Sequence, residues 1–454
     1  MHPLNVEPLG NELLKEDRGL RSQQLGRIAR LSDEIILECL FSADAGTLAA
    51  ACCASRGLRA FASVEELWKA FAVGRVRFKS SWKTTVLGRE ACRLRRTCIY
   101  SDLLYLPFVL PEPASFWTTE SVARARGISD REFWDKYDEP GIPVVLEGGF
   151  AVDERWADLG ETKGTFRAGA FEFAMADYLE YAAANADLQP LYLFDDRFAD
   201  IAPHLAKYEP PSMFRDDLFR WCEPRPQYRW LAVGGPRSGS AWHVDPNGTS
   251  AWNATITGRK RWFFSREPPP GVHPSADGLD VVAPPSLAEW LVRYLAHSKP
   301  LAATTGPGDV VFVPRGWWHM VVNLDPNLTV AVTHNFCSES GLPHALNLLR
   351  TRPHLASGLE LPPGADDGDR RRRRGAALHD QLVDTLRRHR PDLLESAEAS
   401  LRRPATLWDK LLLLQDHDDD DACSRSKKNT KRTKVAAAAA AAAAGEPFVF
   451  GFAL

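Results

Sequence analysis

Apolar positions recur with two different periods along this chain, and the change of period divides it. Between residues 31 and 75 the spacing is helical: Leu31, Ile35, Ile36 and Leu40, then Leu48, Ala51, Cys52, Leu58 and Phe61, then Val64, Leu67, Trp68 and Phe71. Each set falls on one face of a 3.6-residue repeat. The pattern predicts three short amphipathic helices, the first capped by Ser32 or Asp33. From about residue 141 the period shortens towards two. Segments 141–148, 190–194, 228–233, 250–256, 260–264 and 328–336 read as strands, with Thr257-Gly258 as a tight turn. Residues 310–313, Val-Val-Phe-Val, are apolar on both faces, as expected of a strand covered on both sides. Helical spacing reappears at 128–137, 171–184, 287–297, 341–360 and 376–415, the last through Leu378, Leu382 and Leu386 and then 407–414. The last two segments are expected to pack on the barrel or form a dimer surface.

Many short strands divided by Gly/Pro turns indicate an α+β chain built on a double-sheet jelly roll with flanking helices. The periods organise it into a leader (1–28), a helical module (29–75), a connector (76–135) with a proline-rich patch at 107–113, a β domain (136–345), C-terminal helices (346–415) and a low-complexity tail (416–454). The leader is polar and pattern-poor, hence expected to be mobile. Disorder is expected for four biased runs: the five arginines 370–374, the acidic 416–421, the basic 427–434 and the nine alanines 436–444.

Composition narrows the function classes. Apolar content of 44% and charged content of 25% are ordinary for a globular chain. A net charge of −3 supplies no global field for nucleic acid. No run approaches the roughly 20 apolar residues that span a bilayer. Eight cysteines show neither a C-x-x-C pair nor framework spacing, which argues against structural zinc and a secreted disulfide scaffold. A reducing compartment fits, and the basic 427–434 run reads either as a nuclear localisation signal or as a solvated tail. The expected location is nucleus, cytoplasm or both.

Candidate chemistry gathers at 242–264. His243-x-Asp245 places an imidazole and a carboxylate on one side of an extended strand. His319, at the end of Pro-Arg-Gly-Trp-Trp-His, is a third ligand candidate, against the plain reading of a core histidine. Two histidines and one carboxylate form the facial triad of non-haem Fe(II) oxygenases. Lys260 shares a strand face with Trp262 and Phe264, where an ammonium is costly unless an anion pairs with it. A dicarboxylic co-substrate would be such an anion. Thr333 and Asn335 share one face of the last strand, and Asn253 lies on the strand before Lys260.

Within 190–336 the blocks Pro-Leu-Tyr-Leu-Phe-Asp195, Gly-Pro-Arg-Ser-Gly239, His-Val-Asp-Pro246, Thr-Ser-Ala-Trp-Asn253, Gly-Arg-Lys-Arg-Trp262, Val-Pro-Arg-Gly-Trp-Trp-His319 and Thr-His-Asn-Phe336 resemble a Jumonji C (JmjC) oxygenase. Within that family they are similar to the lysyl hydroxylase/arginine demethylase branch once called phosphatidylserine-receptor-like. The resemblance implies a cupin-like double-stranded β-helix. It implies Fe(II) on His243, Asp245 and His319, 2-oxoglutarate on Lys260 and Thr333, and Asn253, Asn335, Tyr192 and Ser240 lining the same pocket. Dioxygen is the implied co-substrate. Ser240 stands where the branch has threonine, which keeps the hydroxyl; His334 replaces a glutamine and should point away from the pocket. The implied reaction is hydroxylation of a protein side chain, lysyl favoured, or demethylation of methylated histone arginine or lysine.

Residues 31–75 resemble an F-box, in the order Leu-x-Asp-Glu-Ile-Ile…Leu-Trp. That implies the adaptor subunit of a cullin-type (SCF) ubiquitin ligase as partner, docked on a face of Leu31, Ile35, Ile36, Leu40 and Trp68. The same pattern fits a helical cap on the main domain. Two other readings compete: an F-box substrate receptor whose barrel serves mainly as a binding module, and a cupin enzyme that uses no 2-oxoglutarate.

Overall fold

The computed structural model describes residues 6–14, 20–72, 74–88, 99–105, 120–156, 159–185, 187–284, 286–359 and 368–402. The proline-rich patch, the 407–414 leucines and the tail lie outside the described residues. Seven strands carry the central part of the two walls of the β domain: β1 (Arg229–Gly234), β2 (Gly239–His243), β3 (Ser250–Thr257), β4 (Lys260–Ser265), β5 (Val310–Val313), β6 (Trp318–Asn323) and β7 (Thr329–Phe336). They belong to two sheets. The larger has ten strands, with β1, β7, β3 and β5 adjacent in its middle; the smaller has four, in the order β2, β6, β4 and Leu301–Thr305.

Period-two alternation explains how the sheets stack. Ala251, Val311 and Val313 of the large sheet meet Trp262, Phe264, Ala303 and Val321 of the small one in a single apolar cluster. The alternate residues leave that interior. Trp252, Ala254, Val310, Phe312, Val330 and Val332 pack outward against the helical side of the molecule. Trp242, Phe263, Trp318, Met320 and Val322 pack outward against helix Leu287–Ser298 through Leu287, Trp290 and Leu291. Strands that are apolar on both faces are therefore covered on both faces. The β3–β4 turn needs Gly258, whose φ is +72° and whose added Cβ would lie 2.5 Å from Thr329 Oγ1.

Several expectations are corrected. The leader is not wholly unstructured: Val6 is buried and Val6–Glu7 pairs in parallel with Ile99–Tyr100, while Leu20–Leu25 is a turn and a half of helix. The helical module holds four helices in 33–69, because Ser55 ends one and caps the next through Leu58 N. Its first cap is Ser32, accepting from Ile35 N. The face assigned to a partner divides: Ile36, Leu40 and Trp68 are buried in the shared core, while Leu31, Ile35 and Phe41 are exposed. Segment 171–184 is a strand, Phe171–Ala174, before it is a helix, Met175–Ala184, because Phe171–Ala174 pairs with strands Gly74–Val76 and Thr165–Ala168 while Phe171 and Phe173 pack on Trp82. The arginine run 370–374 is ordered, in the first turns of helix Gly368–His389; Leu378, Leu382 and Leu386 bury one face of that helix against Leu218, Phe219 and Cys337. Packing of the later turns outweighs the repulsion in the first ones.

Helical module and barrel form one contiguous core, pinned by a buried charge. Asp187 is fully buried and accepts from Lys69 Nζ (2.8 Å), Trp82 Nε1 (2.9 Å) and Tyr181 Oη (2.6 Å). A buried carboxylate is tolerated only when so saturated.

Two glycines make a paired test of strand β2. A Cβ at Gly239 (φ +151°) would sit 1.9 Å from Val321 O, a backbone atom that cannot swing away, whereas nothing lies within 4 Å of one at Gly306. Gly239→Ala should lower the urea midpoint by an amount equivalent to about 1–3 kcal/mol, or abolish folding, while Gly306→Ala should stay within about 0.5 kcal/mol. Equal midpoints would contradict the close approach of β2 to β6.

Candidate metal centre

Strand register assembles the three ligand candidates. β2 and β6 run antiparallel with His243 directly opposite His319, after an irregularity between Ser240 and His243. Directly opposed residues put their side chains on the same face, so the two imidazoles lie side by side, ring centres 4.0 Å apart. Asp245 lies two residues beyond His243. One ligand atom from each of His243, Asp245 and His319 lies within 4.8 Å of the others.

Each histidine is held the same way. Nδ1 of His243 meets the carbonyl of Ala241 at 2.6 Å, and Nδ1 of His319 meets that of Trp317 at 3.1 Å. A carbonyl only accepts, so Nδ1 carries the proton and Nε2 presents its lone pair. This fixing of tautomer and ring orientation is what metal-bound histidines need. Burial, with the neighbouring His319, pushes His243 down to about 3, and burial pushes His319 down to about 4, so both are neutral at physiological pH. Burial raises the Asp245 carboxyl to about 6, offset in part by its electrostatic interaction with the His243 ring and a side-chain hydrogen bond from Asn335.

The fit to a metal rests on Asp245. Its Oδ2 is buried without a hydrogen-bond partner, 4.0 Å from His319 Nε2. That gap is too long for a hydrogen bond, yet one ion about 2.1 Å from each ligand would bridge it. Two neutral imidazoles and a carboxylate suit a divalent first-row metal with open positions.

A second set of groups lies beside the triad. Lys260 is 1% exposed; its Nζ donates to Asn253 Oδ1 at 3.1 Å and Tyr192 Oη at 3.2 Å, and lies 5.0 Å from the Trp262 ring centre. No carboxylate pairs with it among the described residues, and burial lowers its pKa to about 7. Lys260 comes from the small sheet and Asn253 from the large one, so this contact crosses the barrel interior. Thr333 is register-paired with Asn253 and donates to Trp252 O, and Asn335 donates to Thr249 Oγ1. Ser240 is half-buried opposite Val321. The structure thus brings Lys260, Asn253, Thr333, Asn335 and Tyr192 to the interior around the triad, and leaves an ammonium there facing only neutral oxygens. His334 points the other way, its ring tilted against that of Trp252 with centres 4.3 Å apart and hydrogen-bonded to Tyr208 Oη at 2.5 Å.

Sequence reasoning missed the clamp behind Asp245. Asn247 is buried, in the left-handed region at φ +59°, and exchanges two hydrogen bonds with Ser357: its Nδ2 donates to Ser357 O at 3.0 Å, and Ser357 N donates to its Oδ1 at 2.9 Å. Gly248 beside it (φ +65°) abuts Ala345 of helix Leu342–Thr351, where a Cβ would lie 3.1 Å from backbone. Asn-Gly is a pair that favours positive φ, but nothing in the sequence linked it to residue 357.

A cupin-like domain family matches residues 161–341. Among curated proteins the chain is similar to the arginine-specific demethylase JMJ22 of Arabidopsis thaliana, 34% identical over 87% of this chain and 82% of that one. It is 33% identical to the bifunctional arginine demethylase and lysyl-hydroxylase psr-1 of Caenorhabditis briggsae, over 52% of this chain and 67% of that protein. The 2-oxoglutarate and iron-dependent oxygenase JMJD4 of Mus musculus is 32% identical over 27% of this chain and 29% of its own.

Two measurements test the site. Asn247→Ala removes both bonds to Ser357 and should weaken divalent-metal affinity about ten- to a hundred-fold, read by titration calorimetry, with a smaller change in thermal midpoint. Unchanged affinity would make the clamp irrelevant to Asp245. The buried lysine also has a pH signature. A lysine depressed to about 7 in the fold but ordinary when unfolded leaves the unfolded chain holding more protons between about pH 7 and 10.5. Its contribution to stability therefore rises with pH across that window. Lys260→Met should flatten the rise and raise the midpoint of the ligand-free protein at pH 7; an unaltered profile would show that Lys260 already has an anionic partner.

Proposed function

The chain belongs to the cupin-like JmjC family, and from that premise we propose that it is an Fe(II)- and 2-oxoglutarate-dependent oxygenase acting on a basic side chain of a protein substrate. The observation that carries the reading is the conjunction of an orphaned Asp245 oxygen beside two Nε2-presenting histidines with a buried Lys260 that has no anionic partner among the described residues. His243, Asp245 and His319 would hold the metal, and Lys260 would take the distal carboxylate of 2-oxoglutarate, with Thr333, Asn253, Tyr192, Asn335 and Ser240 around it. Bound there, iron and 2-oxoglutarate supply an oxidant made from dioxygen, with succinate and carbon dioxide as by-products. The protein's own part is positional. Trp262, Phe264 and Val321 give the interior beside His319 an apolar lining, and the backbone carbonyls at 241 and 317 hold both imidazoles.

Hydroxylation of a lysyl carbon and oxidation of an arginine N-methyl group, which then leaves as formaldehyde, use the same residues. The names of JMJ22 and psr-1 both support the arginine reaction; that of psr-1 also supports the lysyl one. A cupin enzyme without 2-oxoglutarate, or a barrel that only binds, would have no use for the Lys260 charge.

A second proposal concerns the helical module. Leu31, Ile35 and Phe41 stand exposed on or beside its helix Asp33–Phe41, which supports an F-box-like role in which they meet the adaptor of a cullin-type ligase.

Turnover with Fe(II), 2-oxoglutarate and unmethylated or methylated histone-tail peptides, reading succinate, formaldehyde and product mass, tests the enzyme. One added oxygen on an unmethylated peptide is the lysyl outcome; formaldehyde from methylarginine peptides is the demethylase outcome. Asp245→Ala should abolish succinate, and Lys260→Met should raise the 2-oxoglutarate requirement at least about ten-fold with metal binding retained. Wild-type succinate levels in the Asp245 variant would sink the proposal. Purified adaptor should be retained by the wild-type chain and lost with Ile35→Glu; no retention by folded wild-type protein would leave the module a structural cap.

A further inference from the structure

We propose that Cys52 and Lys83 are joined in air by a nitrogen–oxygen–sulfur bridge that staples helix Ala45–Ala54 to helix Trp82–Leu87. Neither residue belongs to the metal centre. Lys83 Nζ lies 3.0 Å from Cys52 Sγ and 2.9 Å from Ser63 Oγ, and 5.6 Å from the ring centre of the fully buried Trp68. Cys52 is 6% exposed and Ser63 7% exposed.

This is an unusual place for a lysine. A part-buried lysine ordinarily turns to a carboxylate, because losing water costs the charge several kcal/mol. Among the described residues Lys83 has no ion pair; its close contacts are a thiol, a hydroxyl and an aromatic face. A thiol is a weak acceptor and gives back little of the lost hydration. Glu65, whose charge interacts with that of Lys83, uses its carboxylate on Trp82 N and is raised to about 8 by burial. The lysine nitrogen is thus held against sulfur rather than against an acid. Two nucleophiles are in contact, with a hydroxyl beside them to hydrogen-bond an oxygen species.

The oxidant is dioxygen. The ammonium, the thiol and O2 give Lys–NH–O–S–Cys, one water and one proton. The O–O bond breaks; one oxygen leaves as water and the other forms the N–O and S–O bonds. Sulfur and nitrogen each give up two electrons, matching the four that dioxygen accepts. One inserted atom leaves nitrogen and sulfur near their present separation, whereas a direct S–N bond, the sulfenamide alternative, would pull two helices together by roughly an ångström. The bridge would close the module against the helix whose Trp82 rests on Phe171, Phe173 and Tyr181.

The test is mass spectrometry of the full chain purified under argon and then exposed to air. The expected result is a gain of about 14 Da, one oxygen in and two hydrogens out, located in a joined peptide containing residues 52 and 83 and reversed by dithiothreitol. The joined species should also melt higher than the reduced one. Cys52→Ser and Lys83→Arg should each lose the gain, and Cys53→Ser, which alters the exposed neighbour, should keep it. The proposal fails if Cys52 in the aerated wild-type chain is fully alkylated without reductant and no joined peptide appears. It fails equally if the joined peptide is about 2 Da lighter than its parts, or if the gain persists in Lys83→Arg. The wild-type measurement decides even where a variant does not fold.

Discussion

The register between two strands of the small sheet governs the site. With His243 opposite His319, a carbonyl two residues before each imidazole can take its Nδ1 proton, and both Nε2 atoms turn to the same space. A slip of one residue would send one of them into the apolar layer under helix Leu287–Ser298. What prevents that slip is packing on both faces: Trp242, Trp318 and Met320 are committed outward and Val321 inward. Gly239 lets the backbone of one strand come against the carbonyl of Val321 on the other.

The interior between the sheets is mixed along its length. Apolar Trp262, Phe264, Val311 and Val313 sit directly beside the polar groups: Phe264 is register-paired with His319, Val311 with Asn253, and Trp262 lies between Lys260 and Phe264 on one strand. The ligand set, Lys260 and the amide and hydroxyl groups of Asn253, Thr333 and Asn335 are thus set into an apolar lining. An interior that was apolar throughout would be more stable. Lys260 in particular holds a charge that burial disfavours and no acid among the described residues relieves. Such a group is tolerable in a fold whose remaining interior is densely packed, and it gives an incoming anion a large differential in its favour.

Much of this was legible in the sequence, for reasons that differ by element. Alternation predicted which side of β3, β4 and β7 looks inward, because side-chain direction in a strand is a local property; so Lys260, Asn253 and Thr333 could be grouped before any pairing was known. The blocks around His243 and His319 carried the family. Long-range consequences were not legible. That Ile36, Leu40 and Trp68 are buried, in a cluster continuous with the barrel core, depends on how the short helices fold against one another and against the β domain. Phe171–Ala174 read as helix because a four-residue strand leading into a helix keeps an amphipathic pattern at either period. The arginines at 370–374 read as disordered because composition was judged over the run alone, whereas the helix is held by leucines one to three turns later.

The latch between Asn247 and Ser357 has a bearing on synthesis. The turn that follows the Asp245 carboxylate is completed by a residue 110 positions downstream, after the last strand of either sheet. At roughly 5–20 residues per second, a ribosome takes on the order of 5–20 s to make that stretch. For that interval the nascent chain holds its first histidine and its carboxylate with the supporting segment unmade, and for most of it the second histidine is missing too. The centre therefore matures late, and a cell that commits metal to this protein does so after the C-terminal helices have begun to emerge.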